Sequence, residues 1–461
     1  MRSLLKNLQN QDSVAIFAIK YKNMLHSFSV ENFRSFNDKA TFSMEAQNAI
    51  HDLKDKGERF IQFGNTKLLN LAVIFGANSS GKSNLLQAMA TMRHIVTHSV
   101  KLNDSDELPY YPFLFSSEGR RPTVFEVKFS IDKDVFIYTI EYNKDTIIRE
   151  VLSAKFPRCS EKQLFKRIGN THITIDHKYF SEAQEIQQSF DNDDSRIRLN
   201  SNRLLLSLAG QLGGEISNKI INWFGSCLQV ISGISEEQYS DFTKKTIHKN
   251  PDMKAHILEF LESMDLGFDG IKTKAVSLDD VAFPAGMPKE LIEQFKKMRG
   301  GELIEVSSVH NLYDNEGNLL SQIDCDFEDT ESAGTKKVFN LAGPIMDSLL
   351  NGGILCVDEL DSKLHPLLTR RILEVFNNSK KNTNGAQLIA TNHDTSVMGK
   401  DYLRRDQICF VEKNKKEESF IERLSDKKIK VGDSSHTPRP DSNYEKNYLG
   451  GVYGAVPKGR E

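Results

Sequence analysis

A chain of 461 residues has room for two or three structural units and at least one large core. Its 39% hydrophobic and 27% charged content excludes a fibrous or disordered chain, and a net charge of −3 gives no whole-molecule attraction to nucleic acid or acidic membranes. The five cysteines, Cys159, Cys227, Cys325, Cys356 and Cys409, show no CxxC spacing, which argues against a disulfide frame or zinc site and fits a reducing cytoplasm.

Residues 1–23 read as an N-terminal extension, polar except for Val14 to Ile19, which is too short for a signal-peptide core. No run approaches the ~18–20 apolar residues of a membrane span, so a cytoplasmic location without membrane partners is expected. Met24 is a candidate functional start, and Met24 to Phe36 alternates as a strand. Leu68 to Phe75 reads as a buried strand, followed by a Gly/Ser-rich turn and a helix from Ser83 to Val96. Pro122 to Ile148 reads as antiparallel strands turning at Asp132-Lys133-Asp134, which completes an N-terminal lobe over 24–155. A helical insertion is expected over 156–300, from amphipathic stretches at Arg203 to Ala209, Ser217 to Val230, Met253 to Met264 and Lys289 to Met298. Gly213, Gly214, Gly225 and Pro284 interrupt it, so it is no continuous coiled coil. Strands return at Glu302 to Val309 and Leu319 to Phe327 around an Asn315-Glu316-Gly317 turn. A helix from Thr335 to Leu350, a strand Ile354 to Val357, a helix Pro366 to Asn377 and a strand Gln387 to Ala390 alternate as in a parallel sheet. They form a C-terminal lobe over 301–461, within which Lys427 to Tyr444 reads as a poorly ordered polar linker.

Four motifs carry chemistry. Gly76-Ala-Asn-Ser-Ser-Gly-Lys-Ser83 fits the phosphate-binding pattern GxxxxGK[ST] between a strand and a helix. Gly76 and Gly81 let backbone N–H groups face a β-phosphate, Lys82 neutralises β/γ charge, and the Ser83 hydroxyl suits Mg²⁺. Asp358 follows an apolar strand and can hold Mg²⁺, while Glu359 can orient and deprotonate water. Ser332-Ala-Gly-Thr335 precedes a helix; the bland alternative is an N-cap serine beside a turn glycine, and the sharper one an anion site for a second nucleotide. His393 follows the strand ending at Thr391, where a γ-phosphate would lie.

Together these motifs resemble the ABC-type ATPase heads of the SMC and RecF kind. That resemblance implies an α/β head, with a mixed sheet, an antiparallel N-terminal subdomain and a helical insertion, that hydrolyses ATP with Mg²⁺ as a homodimer sandwiching two nucleotides. It implies ATP contacts at Gly76, Asn78, Ser79, Ser80, Gly81, Lys82, Ser83 and Asn84, metal ligation by Ser83 and Asp358, and catalysis by Glu359 and His393. A signature at Ser332, Gly334 and Thr335 and a D-loop at Asp361 would serve the partner's nucleotide. Val30-Glu-Asn-Phe-Arg-Ser-Phe36 resembles the opening strand of such heads, where Arg34 approaches the nucleotide. The signature departs from the common pattern at Glu331, Thr335 and Lys336, and no Q-loop glutamine is assigned.

Asp358 to Pro366, Gly385 to Ile389, Asn392 to Thr395 and Tyr448 to Pro457 further resemble a bacterial family of short-armed, ABC-like AAA ATPases. Its members are often sensor subunits of anti-phage and abortive-infection systems beside a separate effector, frequently a TOPRIM-type nuclease. The alternative is a DNA-binding ATPase of repair, for which Lys244-Lys245, Arg404-Arg405, Lys413 to Lys416 and Lys427 to Lys430 are candidate basic patches. Intrinsic nuclease activity has only Asp324-Cys-Asp326 and Asp191-Asn-Asp-Asp194 to draw on, which read as a strand and a solvated turn.

Overall fold

The computed structural model describes residues 23–456 except 48–49, 51–58, 118, 120, 171, 191–198, 233–235, 280–285, 287, 300, 400–401 and 432–433. The extension before residue 23, Pro284, Pro457 and the Asp191 to Asp194 turn therefore lie outside the described residues. The chain divides into two compact units, one drawn from Met1–Val230, Leu349–Asp358 and Leu373–Glu461, the other from Ile231–Ser348 and Glu359–Ile372.

The first unit is α/β and carries two large sheets. One has six strands, in the order Leu228–Ile231, Ile354–Val357, Gln387–Thr391, Leu71–Phe75, Ile408–Lys413 and Ser419–Arg423. Leu71–Phe75 is parallel to both of its neighbours and all five of its residues are buried, which is why it reads as an unbroken apolar run. The longer run expected from Leu68 is two strands. Thr66–Leu69 pairs with Phe60–Phe63, and Asn70 separates it from Leu71–Phe75.

The other sheet is antiparallel, in the order His172–Ile175, Lys162–Ile168, Ile147–Lys155, Asp134–Tyr142, Thr123–Ile131, Met24–Glu31 and Ala40–Ser43. Ile131 pairs with Asp134, so Asp132 and Lys133 make a two-residue hairpin turn with Asp132 at φ 54°. Helical character does not begin at 156 as the sequence suggests, because Lys162–Ile168 and His172–Ile175 extend this sheet. Leu152 pairs with Phe165 but Ser153 with Gln163, and this slip buries Leu164 and Phe165 side by side and breaks the alternation. One core holds the unit together: Trp223 lies 4.2 Å from the Phe129 ring and Phe224 6.3 Å from that of Tyr138. Gln387 stitches three strands, accepting from Leu25 N–H at 2.7 Å and donating to the Leu25 and Leu69 carbonyls.

The second unit contains helices Glu236–Lys249, Pro251–Met264, Lys289–Arg299, Phe327–Thr330 and Ala333–Asn351, with a three-stranded sheet, Gly270–Ser277, Glu302–Tyr313 and Leu319–Asp326. Tyr313 pairs with Leu319 around the expected turn, with Gly317 at φ 85°.

The segment read as a poorly ordered linker is tied down among its described residues. Lys427 is only 12% exposed, its amine held by Glu412 and, at 2.9 Å, by Glu422, while Tyr444 is buried. Glu412 and Glu422 lie on the adjacent strands Ile408–Lys413 and Ser419–Arg423, and only their pairing brings both carboxylates to Lys427. No helix among the described residues is long and apolar enough to cross a membrane.

Candidate functional site

In the first unit the phosphate-loop segment leaves the carboxyl end of Leu71–Phe75 and enters helix Lys82–His98. Gly76 and Gly81 sit at φ 154° and 112°, where glycine is favoured, and neither has room for a side chain. A Cβ on Gly76 would meet the Val411 carbonyl oxygen at 2.2 Å, and one on Gly81 the hydroxyls of Ser419 and Ser35 at 2.5 and 2.7 Å. Lys82, 5% exposed, turns its amine onto the loop's own Gly76 and Ala77 carbonyls at 2.8 and 3.1 Å. The Ser80 hydroxyl is buried without a partner among the described residues. Asn78 and Ser79 are exposed at the crown of the loop, Ser79 at φ 62°, and Ser83 is half-buried in the first helical turn.

Two serines to which the sequence analysis gives no role brace this loop. Ser419 donates its hydroxyl to the Ser80 carbonyl at 2.6 Å and its N–H to the Ser35 carbonyl at 2.7 Å, and the Ser35 hydroxyl accepts from the Asn84 amide at 2.7 Å. Their only sequence signal is a small hydroxyl residue beside Arg34 and at the start of a strand. Asn84 is thereby committed to the Ser35 loop. Arg34, exposed and at φ 50°, holds its guanidinium 4.8 Å over the Tyr111 ring, while its N–H donates to the Tyr111 carbonyl at 2.7 Å.

Asp358 follows Ile354–Val357, separated from Leu71–Phe75 by the single strand Gln387–Thr391. These three parallel strands put Asp358 and Gly76 at the same, carboxyl edge of the sheet, where ligands of such sheets gather. Thr391, a residue the sequence reading gave no role, donates its hydroxyl to Asp358 Oδ1 at 2.6 Å and so fixes the carboxylate. His393 lies two residues beyond, exposed.

A glycine cradle closed to Cβ atoms, an orphaned Ser80 hydroxyl, a lysine turned onto its own loop and a fixed carboxylate at one sheet edge fit triphosphate oxygens with a hard divalent cation. Lys82 and the loop amides would hold the phosphates, and Ser83 with Asp358 would hold the cation.

The second unit holds the other expected residues. Glu359 is exposed at φ 48° and begins a tight turn in which Ser362 N–H donates to its carbonyl at 3.1 Å. The Lys337 amine also donates to that carbonyl, at 2.6 Å, and to the Ser362 hydroxyl at 2.5 Å; Asp361 is half-buried in the same turn. Ser332 caps helix Ala333–Asn351, accepting from Thr335 N–H at 3.1 Å, with its hydroxyl 2.9 Å from that of Thr335. Gly334 permits close packing, since a Cβ there would lie 2.7 Å from the Lys363 carbonyl. Glu331, in the place where signatures commonly carry Leu, is 8% exposed and 3.0 Å from His310 Nε2.

The candidate nucleic-acid patches fare unevenly. Arg404 and Arg405 are buried: Arg404 forks onto Asp406 at 2.8 and 2.9 Å and Arg405 donates to the Pro438 carbonyl, so they do not form a basic surface. Asp324 pairs with Lys272 at 2.8 Å and Asp326 caps a helix, and no cluster of three or more metal-ligating groups occurs among the described residues.

The profile of a family described as "AAA domain, putative AbiEii toxin, Type IV TA system" matches residues 71–399. No curated protein matches the chain. Among solved structures the chain is similar to an SMC head bound to the C-winged helix domain of ScpA, at 11% identity, 87% coverage of this chain, 98% of that one and a TM-score of 0.44. It is also similar to the SMC head domain from Thermotoga maritima, at 12% identity, 87% and 98% coverage and a TM-score of 0.37. The recombination mediator RecF with ATP gives 12% identity, 88% and 99% coverage and a TM-score of 0.37.

Proposed function

The chain belongs to the AAA-domain family whose profile spans 71–399, and from that premise we propose that it is an ATP-binding and ATP-hydrolysing switch that controls a separate effector in bacterial anti-phage defence. The observation that carries the reading is the first unit's sheet edge, where a Cβ-excluding phosphate loop and a hydroxyl-fixed Asp358 stand one strand apart. The family description, naming a type IV toxin–antitoxin system, supports the defence setting. A nuclease of the TOPRIM type is the proposed effector.

The loop amides from Gly76 to Ser83 and Lys82 bind the β- and γ-phosphates, with Asn78, Ser79, Ser80 and Asn84 shaping the loop and Arg34 reaching the nucleotide. Mg²⁺ held by Ser83 and Asp358 supplies positive charge to the phosphates when bound. Glu359, the next residue in the chain, orients water and takes its proton, and His393 senses the γ-phosphate. Ser332, Gly334, Thr335 and Asp361 serve the nucleotide of a second copy, which makes the working form a homodimer. The proposed organisation has a head formed by 24–155 and 301–461, an arm over 156–300 and an extension at 1–23.

The test is affinity purification of Glu359→Gln from the native host with Mg²⁺ and ATP, with Lys82→Ala as control. A nuclease recovered stoichiometrically with Glu359→Gln and absent with Lys82→Ala supports the switch. Nucleic acid alone, lost as salt rises, replaces it by a DNA clamp. Unchanged hydrolysis in both variants overturns the ATPase assignment itself.

A further inference from the structure

The second unit contains a cavity of about 430 Å³ lined by Tyr239, Ser240, Asp241, Lys244, Leu303, Glu328, Ala333, Lys336, Lys337, Asn340 and Lys363. Its charge is unbalanced, with four lysines facing two carboxylates, Asp241 and Glu328. Glu328 is shared: Lys244 approaches its carboxylate at 2.7 Å and Lys336 at 4.0 Å, while Lys336 also donates to its carbonyl. The Lys337 amine donates to the Glu359 carbonyl and the Ser362 hydroxyl.

The helix Ala333–Asn351 explains the convergence. Ala333, Lys336, Lys337 and Asn340 are spaced i, i+3, i+4 and i+7 and share one face, whereas Thr335 lies on the opposite one and is buried. Ser332, Gly334 and Thr335, the residues proposed to serve a second nucleotide, do not line the cavity, while their neighbours Ala333 and Lys336 do.

We propose that this cavity binds a phosphate-bearing small molecule. Lysine ammonium groups are compact charges that suit phosphate without a bidentate fork, and four of them converge here. Tyr239, Ser240 and Asn340 offer hydrogen bonds for the rest of the ligand, and Leu303 and Ala333 an apolar wall. The volume falls within the roughly 300–1,000 Å³ of ordinary small-molecule sites, and a concave pocket does not suit a nucleic-acid backbone.

Calorimetry with inorganic pyrophosphate on the full chain tests this. The wild-type chain is expected to bind two equivalents, one on the phosphate loop and one in the cavity. Lys82→Ala should lose the first and keep the second. Ser240→Trp, which fills the cavity without altering a lysine, and Lys244→Gln/Lys336→Gln should each lose the second, with affinity there falling about tenfold or more, while Lys244→Arg/Lys336→Arg should retain it. A far-UV circular dichroism spectrum and a urea transition like those of the wild-type chain show that a cavity variant is folded. Wild type binding a single equivalent that Lys82→Ala abolishes overturns the proposal, as does a second equivalent that survives Ser240→Trp. Neither result bears on ATP hydrolysis, which Lys82→Ala and Glu359→Gln test separately.

Discussion

Gly76→Ala puts one methyl group where the structure has none to spare. The new Cβ would stand 2.2 Å from the carbonyl oxygen of Val411 and 2.7 Å from the Ser80 hydroxyl. Ser80 can rotate, but Val411 is backbone in the strand Ile408–Lys413, locked in parallel register to Leu71–Phe75, and must retreat by roughly 1 Å to reach van der Waals distance. Overpacking of that kind costs about 1–3 kcal/mol and a non-glycine residue at this φ about 1–3 kcal/mol more, which gives about 2–6 kcal/mol together. Gly64→Ala isolates the conformational part, since Gly64 has φ 55° and nothing within 4 Å of the added Cβ, and should cost only about 1–2 kcal/mol. Equilibrium urea unfolding measures both. Displacement of the loop also forfeits at least one N–H bond to a phosphate, worth about 1.5–3 kcal/mol, so Mg²⁺-ATP affinity should fall about tenfold or more while Gly64→Ala leaves it intact. A Gly76→Ala chain as stable as Gly64→Ala and binding ATP within about threefold of wild type refutes the cradle reading.

Three further outcomes are expected. Thr391→Val keeps the shape but removes the 2.6 Å bond to Asp358, so half-saturation by Mg²⁺ in ATP hydrolysis should rise about tenfold while metal-free nucleotide binding holds; an unchanged Mg²⁺ dependence refutes the positioning role. Glu150, fully buried, accepts from Leu205 and Leu206 N–H at 2.7 and 3.0 Å and from the Tyr138 hydroxyl at 2.8 Å, with Arg167 3.6 Å away. Glu150→Gln leaves Arg167 a buried charge without its counter-ion and should cost about 3–5 kcal/mol in urea unfolding; a loss under about 1 kcal/mol counts against the pair. The His26 ring, 3.7 Å away, and a hydrogen bond from Lys128 at 2.7 Å hold Glu45 down to about 2 from an ordinary 4.5, so its stabilisation is full above about pH 4.5 and lost as pH falls toward 2. Glu45→Gln should flatten the urea midpoint over that window, and a midpoint as steep as in wild type rejects the linkage.

The sequence determined what rests on local patterning. The phosphate loop is legible because its chemistry comes from contiguous backbone, and buried parallel strands such as Leu71–Phe75 and Ile354–Val357 declare themselves as unbroken apolar runs. The helix Pro366–Asn377 follows likewise from apolar spacing after a proline. What only the tertiary structure decided depends on partners far apart in the chain. Ser419 reaches Ser80 across 339 residues, and the Pro438 carbonyl turns Arg405 inward from what reads as a basic patch. A one-residue slip at Leu164 hides the strand Lys162–Ile168 from a period-two reading. Four lysines from three separate segments share a cavity, two of them, Lys336 and Lys337, from one face of the helix Ala333–Asn351. Side-chain bonds across such separations leave no periodic trace, so composition and spacing do not reveal them; they form only once the strands and helices have fixed which residues meet.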